Sequence, residues 1–142
     1  MTIEVRAGEW TRPLPSPDVV STEYWAALAG GRLLIQHCPD CDHYQFYPRA
    51  LCEHCGSEPA WREVSGRGTI YTFTVIRQNG IPAFQKDIPY VVAMIQLEEG
   101  VRLMGNVTGC PVDEVRIGME VRPYAIRMEP ELAVLQWEPA RD

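Results

Sequence analysis

From Gly68 to Trp137, apolar and polar positions alternate with a period of two, in short runs separated by glycine, proline or paired acids. That is the pattern of half-buried β-strands. Five strands are predicted, over residues 68–77 (with Thr69, Tyr71, Phe73 and Val75), 89–97, 101–107, 121–128 and 132–137. Glu98-Glu99-Gly100 reads as a hairpin turn, residues 113–118 as a short connector, and residues 128–131, which contain Pro130, as a second turn. Five strands punctuated in this way suit a small barrel of the OB type.

The period changes upstream. Val20, Tyr24, Ala27 and Leu28 recur at helical spacing, with Ser16 as a candidate N-cap, Pro17 at the first position and Gly30-Gly31 as the stop, so a helix is expected over 17–29. Tyr24 and Trp25 give that helix a bulky side, to be packed against the rest of the molecule or presented to a partner. Leu33, Leu34 and Ile35 predict a short strand, and Tyr44, Phe46 and Tyr47 a small hairpin after it. Pro13, Pro15 and Pro17 alternate in a polar stretch that should run extended over a surface. The expected organisation is an arm over 1–16, a helix with a small module over 17–66, and a barrel with a tail over 67–142.

Charge narrows the function classes. Among 142 residues, thirteen Lys and Arg stand against nineteen Asp and Glu, a formal net charge of −6. Affinity for a polyanion comes mostly from neutralising phosphates, so this balance argues against nucleic acid. No apolar run approaches the roughly 20 residues of a membrane span. The first ten residues carry Glu4, Arg6 and Glu9 and lack the apolar centre of a signal peptide. A soluble, cytoplasmic protein is expected.

The most specific chemistry lies between helix and barrel. Cys38-Pro-Asp-Cys41 and Cys52-Glu-His-Cys55 are two Cys-x-x-Cys turns, and the spacer over 42–51 is long enough to bring the second round to the first. Four thiolates then close a tetrahedral shell, which leaves no open position for substrate and therefore serves the fold. Disulfides would need an oxidising compartment, and a redox Cys-x-x-Cys normally occurs once, near a βαβ pattern. Zinc is the expected ion; iron in a rubredoxin-like carrier uses the same four ligands. In small zinc domains the metal contributes roughly 10–16 kcal/mol, so loss of any one cysteine should unfold this segment.

Other reactive residues have ordinary readings. His37, His43 and His54 lie in or beside the knuckles and are expected to face solvent; Cys110 has no His or Asp at a suggestive spacing and reads as a structural or surface thiol. Gly66-Arg67-Gly68 is weak as a phosphate loop and better explained by a tight approach to a strand. The long connection over 78–88, with Pro82, Phe84 and Lys86, is the candidate contact loop, since loops beside the open face of an OB fold commonly bind ligand. No Ser-His-Asp or Cys-His set suggests itself, and Glu98-Glu99 are expected to be solvated.

Taken in order, the helix with Tyr24-Trp25, the run Gly31-Arg-Leu-Leu-Ile-Gln-His-Cys38, the two knuckles, Ser65-Gly-Arg-Gly68, Pro89-Tyr-Val-Val-Ala93 and Glu114-Val-Arg-Ile-Gly-Met-Glu-Val121 form a recognisable series. The chain resembles, over about 24–121, the family that joins a rubredoxin-like zinc ribbon to an acyl-CoA-associated OB fold, long catalogued as a domain of unknown function. The resemblance implies a mainly β fold, with an N-terminal helix and zinc ribbon followed by a five-stranded OB barrel. Its zinc ligands fall on Cys38, Cys41, Cys52 and Cys55. Asp42 departs from the pattern, since a glycine usually follows the first knuckle; Asp tolerates the left-handed conformation better than most residues.

The resemblance also implies an accessory role in acyl-CoA metabolism. Family members occur beside or fused to thiolase-fold enzymes and MaoC-type hydratases, and some resemble the small subunit of aldolases that cleave steroid side-chain CoA thioesters. The expected partner is therefore a thiolase-fold aldolase or thiolase in a hetero-oligomer, with no catalytic residue assigned to this chain. If it helps to hold acyl-CoA, the phosphates need cations, and Arg49, Arg67, Arg77 and Lys86 are the candidates by position. A nucleic-acid-binding ribbon and barrel, with Tyr71, Phe73 and Tyr90 stacking on bases, is the competing reading.

Overall fold

The computed structural model describes residues 2–141. Five strands form the barrel: β5 (Gly68–Ile76), β6 (Tyr90–Leu97), β7 (Arg102–Val107), β8 (Glu120–Glu129) and β9 (Leu132–Pro139). They run in the order β8-β5-β6-β7-β9, and β9 pairs back onto β8, so the sheet closes on itself and leaves no free edge among these five. The alternation predicted from sequence is cleanest on β6, where Val91, Ala93, Ile95 and Leu97 point inward and are buried. Leu103, Val107, Val121, Ala125, Leu135 and Trp137 complete the interior. The Trp137 indole N–H donates to the Gly66 carbonyl at 3.1 Å, which satisfies the one polar atom of that ring.

Two strands are missing from the prediction. β1 (Glu4–Ala7) lies parallel to β8 as a sixth strand, in register Glu4 with Tyr124 through Ala7 with Arg127. β4 (Ala60–Val64) pairs antiparallel with β2 (Leu33–His37), whose other edge holds the two-residue β3 (Tyr44–Gln45). Of the five β4 residues only Val64 is buried, so this strand carries little hydrophobic pattern and owes its conformation to pairing.

The helix α1 (Thr22–Ala29) also starts later than expected. Asp18, and not Ser16, opens the turn that leads into it. The Asp18 carboxylate accepts from the Ser21 N–H at 2.8 Å, while the Ser21 hydroxyl accepts from the Asp18 N–H at 3.0 Å. This reciprocal arrangement satisfies backbone donors that the first turn leaves free. Tyr24, Leu28 and Ala29 are buried and join Leu33, Ile35 and Val64 of the ribbon to the barrel interior as one continuous core. At the other end of α1, the Arg127 guanidinium donates to the Ala29 carbonyl, placing a cation at the negative end of the helix. Ribbon, helix and barrel are thus packed together, and the tight junction explains Gly68: a Cβ there would lie 2.3 Å from the Gln96 carbonyl oxygen.

Candidate metal centre and the charged loops of the barrel

The two knuckles are built alike. In each, the first cysteine donates its backbone N–H across the loop, Cys38 to the His43 carbonyl at 2.8 Å and Cys52 to the Ser57 carbonyl at 2.7 Å. The residue after the second cysteine then folds back, Asp42 to the Cys38 carbonyl at 2.9 Å and Gly56 to the Cys52 carbonyl at 2.9 Å. That return requires a left-handed backbone, and φ is 63° at Asp42 and 81° at Gly56. Asp42 therefore does the work of the glycine in the second knuckle, its carboxylate held 2.5 Å from His37 Nε2.

The geometry brings all four predicted cysteines together. Their Sγ atoms lie within 4.8 Å of one another, with Cys38–Cys55 at 3.4 Å and Cys41–Cys52 at 3.6 Å, and every cysteine is a free thiol. Sulfurs ~2.3 Å from a central ion sit about 3.8 Å apart in a tetrahedron, so the donor set fits a four-thiolate site compatible with structural zinc. Hydrogen bonds from Ser57 hold the Cys55 thiol down at about 6, while desolvation pushes Cys41 up to about 12. Cys38 and Cys52 are buried and Cys55 is exposed, which leaves one side of the cluster facing solvent.

A feature that sequence reading missed supports the knuckles from below. Gln36 and Gln45 are 5% and 3% exposed. Gln45 donates to the Gln36 side-chain oxygen at 2.7 Å and to the Leu51 carbonyl at 3.2 Å, and accepts from the Glu53 N–H at 2.8 Å. Gln36 meets both the N–H and the carbonyl of Arg49, each at 2.8 Å. The pair ties β2 and β3 to the second knuckle with every amide group in use. Nothing in the local sequence distinguishes these glutamines from solvated ones, because their partners lie up to thirteen residues away.

The four candidate cations fall on four separate segments. Arg49, on the loop before the second knuckle, lies 3.4 Å from Glu53. Arg67 sits at the ribbon–barrel junction, and Arg77, just past the other end of β5, lies 3.7 Å from Asp113. Across ten residues of strand these two are separated by up to about 30 Å and cannot meet one phosphate group. Lys86 belongs to a 3-10 turn (Pro82–Asp87) and approaches Glu9 at 3.8 Å. The acids of the 98–99 hairpin are not simply solvated as expected: the Glu99 carboxylate accepts from the Ser65 N–H at 3.1 Å and that of Glu98 from the Ser65 hydroxyl at 3.3 Å, latching the hairpin to the junction.

The arm reaches the same 3-10 turn. The Thr11 hydroxyl donates to the Ala83 carbonyl at 3.0 Å. The Arg12 guanidinium donates to Asn106 Oδ1 at 2.7 Å and to Asp87 at 3.3 Å, with the rings of Trp10, Phe84 and Tyr90 centred 5.2, 5.0 and 4.8 Å from it. Cations so placed are attracted by the ring faces. Arg12 is the structural cation of the contact loop, and the only local hint of it was the nearby Trp10.

Comparison with known proteins agrees with this architecture. Residues 25–61 match the family model described as the rubredoxin-like zinc ribbon domain of ChsH2, and residues 61–125 match that described as the C-terminal OB-fold domain of ChsH2. A DUF35 domain-containing scaffold protein of Methanocaldococcus jannaschii is 34% identical over 99 residues, 68% of this chain and 70% of that one. A probable enoyl-CoA hydratase alpha subunit of Thermomonospora curvata is 36% identical over 131 residues; the match takes in 91% of this chain but spans only 40% of that protein. Among solved structures, a chain of the Ltp2-ChsH2(DUF35) aldolase superposes with a TM-score of 0.79 at 34% identity, covering 89% of this chain and 99% of the other. With fold, cysteine quartet and sequence in agreement, the chain belongs to the DUF35 family, which joins a ChsH2-type rubredoxin-like zinc ribbon to an OB-fold domain.

Proposed function

We propose that this chain is a non-catalytic, zinc-containing subunit that packs on a thiolase-fold aldolase or thiolase and supports carbon–carbon bond cleavage or formation in an acyl-CoA substrate, a steroid side-chain CoA thioester among the candidates. The observation that carries the reading is the likeness, over 89% of this chain and 99% of the other, to the chain of the Ltp2-ChsH2(DUF35) aldolase. Zinc is the proposed occupant of Cys38, Cys41, Cys52 and Cys55; bound there it supplies structural cross-linking, because four protein thiolates leave no site for substrate. The residues around it do the holding: the Gln36–Gln45 pair fixes the second knuckle, and the backbone turns after Cys41 and Cys55 orient the sulfurs.

A partner surface is available on the ribbon side. Trp25 donates its indole N–H to the Tyr47 hydroxyl at 3.2 Å, and Leu14 and Pro17 lie beside Trp25 in one shallow groove, with Val19 95% exposed nearby in the chain. Leu14 and Val19, left in water beside this groove whose lining also includes Glu129 and Glu131, support a protein that covers them. Arg49, Arg67, Arg77 and Lys86 remain the proposed contacts to coenzyme A phosphates in the assembled complex, Arg67 acting separately from Arg77 and Lys86 at the other end of β5. A MaoC-type hydratase is the second candidate partner.

The test is co-expression with a thiolase-fold aldolase from the same source, followed by purification through a tag on this chain alone. The expected result is a stoichiometric complex, and V19D with W25A is expected to weaken it by at least tenfold while both variants keep their zinc. Elution of this chain alone, with its metal bound, would remove the proposed partnership.

A further inference from the structure

Three glutamines of this chain are buried to the same degree, and they differ in one respect. Gln36 and Gln45 have their amides saturated by the ribbon. Gln136 is 3% exposed, yet among the described residues its side chain makes no hydrogen bond. It lies on the face of β9 opposite Leu135 and Trp137, which fill the barrel, and it lines an open-mouthed cavity of about 350 Å³ between β9, the arm and the 3-10 turn. Its amide atoms are reached from the cavity, where water serves them until a ligand replaces it. The same wall contains Trp10, whose indole N–H, unlike that amide, is buried without an acceptor.

The rest of the lining narrows what fits. Deep in the wall Arg12 is paired with Asp87 and held by the Asn106 amide oxygen, while Lys86 lies on the exposed rim, 3.8 Å from Glu9. The hydroxyls of Thr108 and Tyr124 are 2.6 Å apart and serve each other. Val112 and Ile126 make up apolar wall. What remains open is a carbonyl acceptor and an N–H donor side by side on Gln136. A ligand matches both at once when its own C=O and N–H lie on the same edge, as in a primary carboxamide or a lactam. Its volume is at the small end of the range for ligand sites.

We infer that this cavity is a binding site for a small neutral molecule with a primary carboxamide or lactam edge on an apolar body, held by two hydrogen bonds to Gln136. The site is separate from the cysteine quartet and does not depend on the partnership proposed above. The arm residues that close it, Trp10 and Arg12, would order further when it fills.

The probes are butanamide and δ-valerolactam, titrated into the zinc-loaded full chain and followed by the Gln136 side-chain amide and Trp10 indole signals in nitrogen–proton NMR spectra. Saturable shifts at both signals are expected, with methyl butanoate and butanoate binding at least tenfold more weakly, and Q136M reducing amide affinity at least tenfold. V112F, which fills the cavity from a different element, should have the same effect and serves if Q136M does not fold. Absence of saturation at tens of millimolar would mean that the cavity holds water only and would overturn the inference. So would shifts that survive both variants, or an ester that binds as well as the amides.

Discussion

The ribbon and the barrel are adjacent parts of one core, but they are held by different forces. The barrel has a closed sheet filled by Ile70, Val91, Ile95, Leu103 and Trp137, each no more than 1% exposed. Past the base of β2 and β4, the ribbon has almost no apolar interior; its tip is a cluster of four sulfurs over a pair of saturated glutamines. Hydrophobic burial is spread over many residues, so a barrel tolerates single losses in proportion to the volume removed. Metal ligation is concentrated, and removing one of four ligands removes nearly all of it. The lesson is that this chain can present an ordered, almost coreless tip at its surface, where a four-thiolate site, once it holds a metal, supplies what an apolar interior cannot.

The sharpest way to break that contrast is C52S. Roughly 10–16 kcal/mol of metal binding is at stake, so zinc content should fall to near zero. Amide exchange should show protection lost in residues 36–57 and kept in β6 and β7. Equal loss in both regions would erase the distinction. Next in size is W137A, which empties the barrel and orphans the Gly66 carbonyl; about 3–5 kcal/mol is expected from urea unfolding, with full zinc occupancy of the folded fraction.

A smaller effect tests the support beneath the knuckles. Q45L keeps the volume but leaves the Glu53 N–H and the Leu51 carbonyl without their side-chain partner, for about 1–3 kcal/mol. The expected readout is faster zinc transfer to a chelator, with the urea midpoint of the barrel nearly unchanged. The smallest effect concerns the arm. Arg6 makes two hydrogen bonds to Glu138, at 2.7 and 3.2 Å, and together with Arg122 holds that carboxyl below its ordinary value of 4.5. A depressed carboxylate contributes stability that is complete above the unfolded pKa and lost as pH falls through the folded one. Exchange protection of β1 should therefore decline below about pH 4.5, by about 1 kcal/mol, and E138Q should flatten that decline.

The same division explains what could be read from sequence. The barrel strands were legible because each declares itself by local alternation, as β6 does at every residue, and the knuckles because four cysteines at that spacing have few other uses. β1 and β4 were not, since four or five residues with only Val64 buried among them become strands only through partners distant in the chain. Arg12, hinted at only by the nearby Trp10, was missed for the same reason: Asn106 is 94 residues away. The helix start was placed at Ser16-Pro17 by residue preference, while the fold uses the Asp18–Ser21 pair, equally good chemistry two residues on. The phosphate candidates were named as cations by their position in the sequence, and β5 holds Arg67 and Arg77 at opposite ends, a separation that sequence position does not convey.

The most direct test of the central claim is a rate comparison. β-Hydroxyacyl-CoA cleavage would be measured for the thiolase-fold partner alone, for this chain alone, for the two together, and for the partner with C52S. Cleavage confined to the wild-type pair, with none from the isolated chain, is the predicted result. Turnover by this chain alone, or a partner rate indifferent to its presence, would contradict the account.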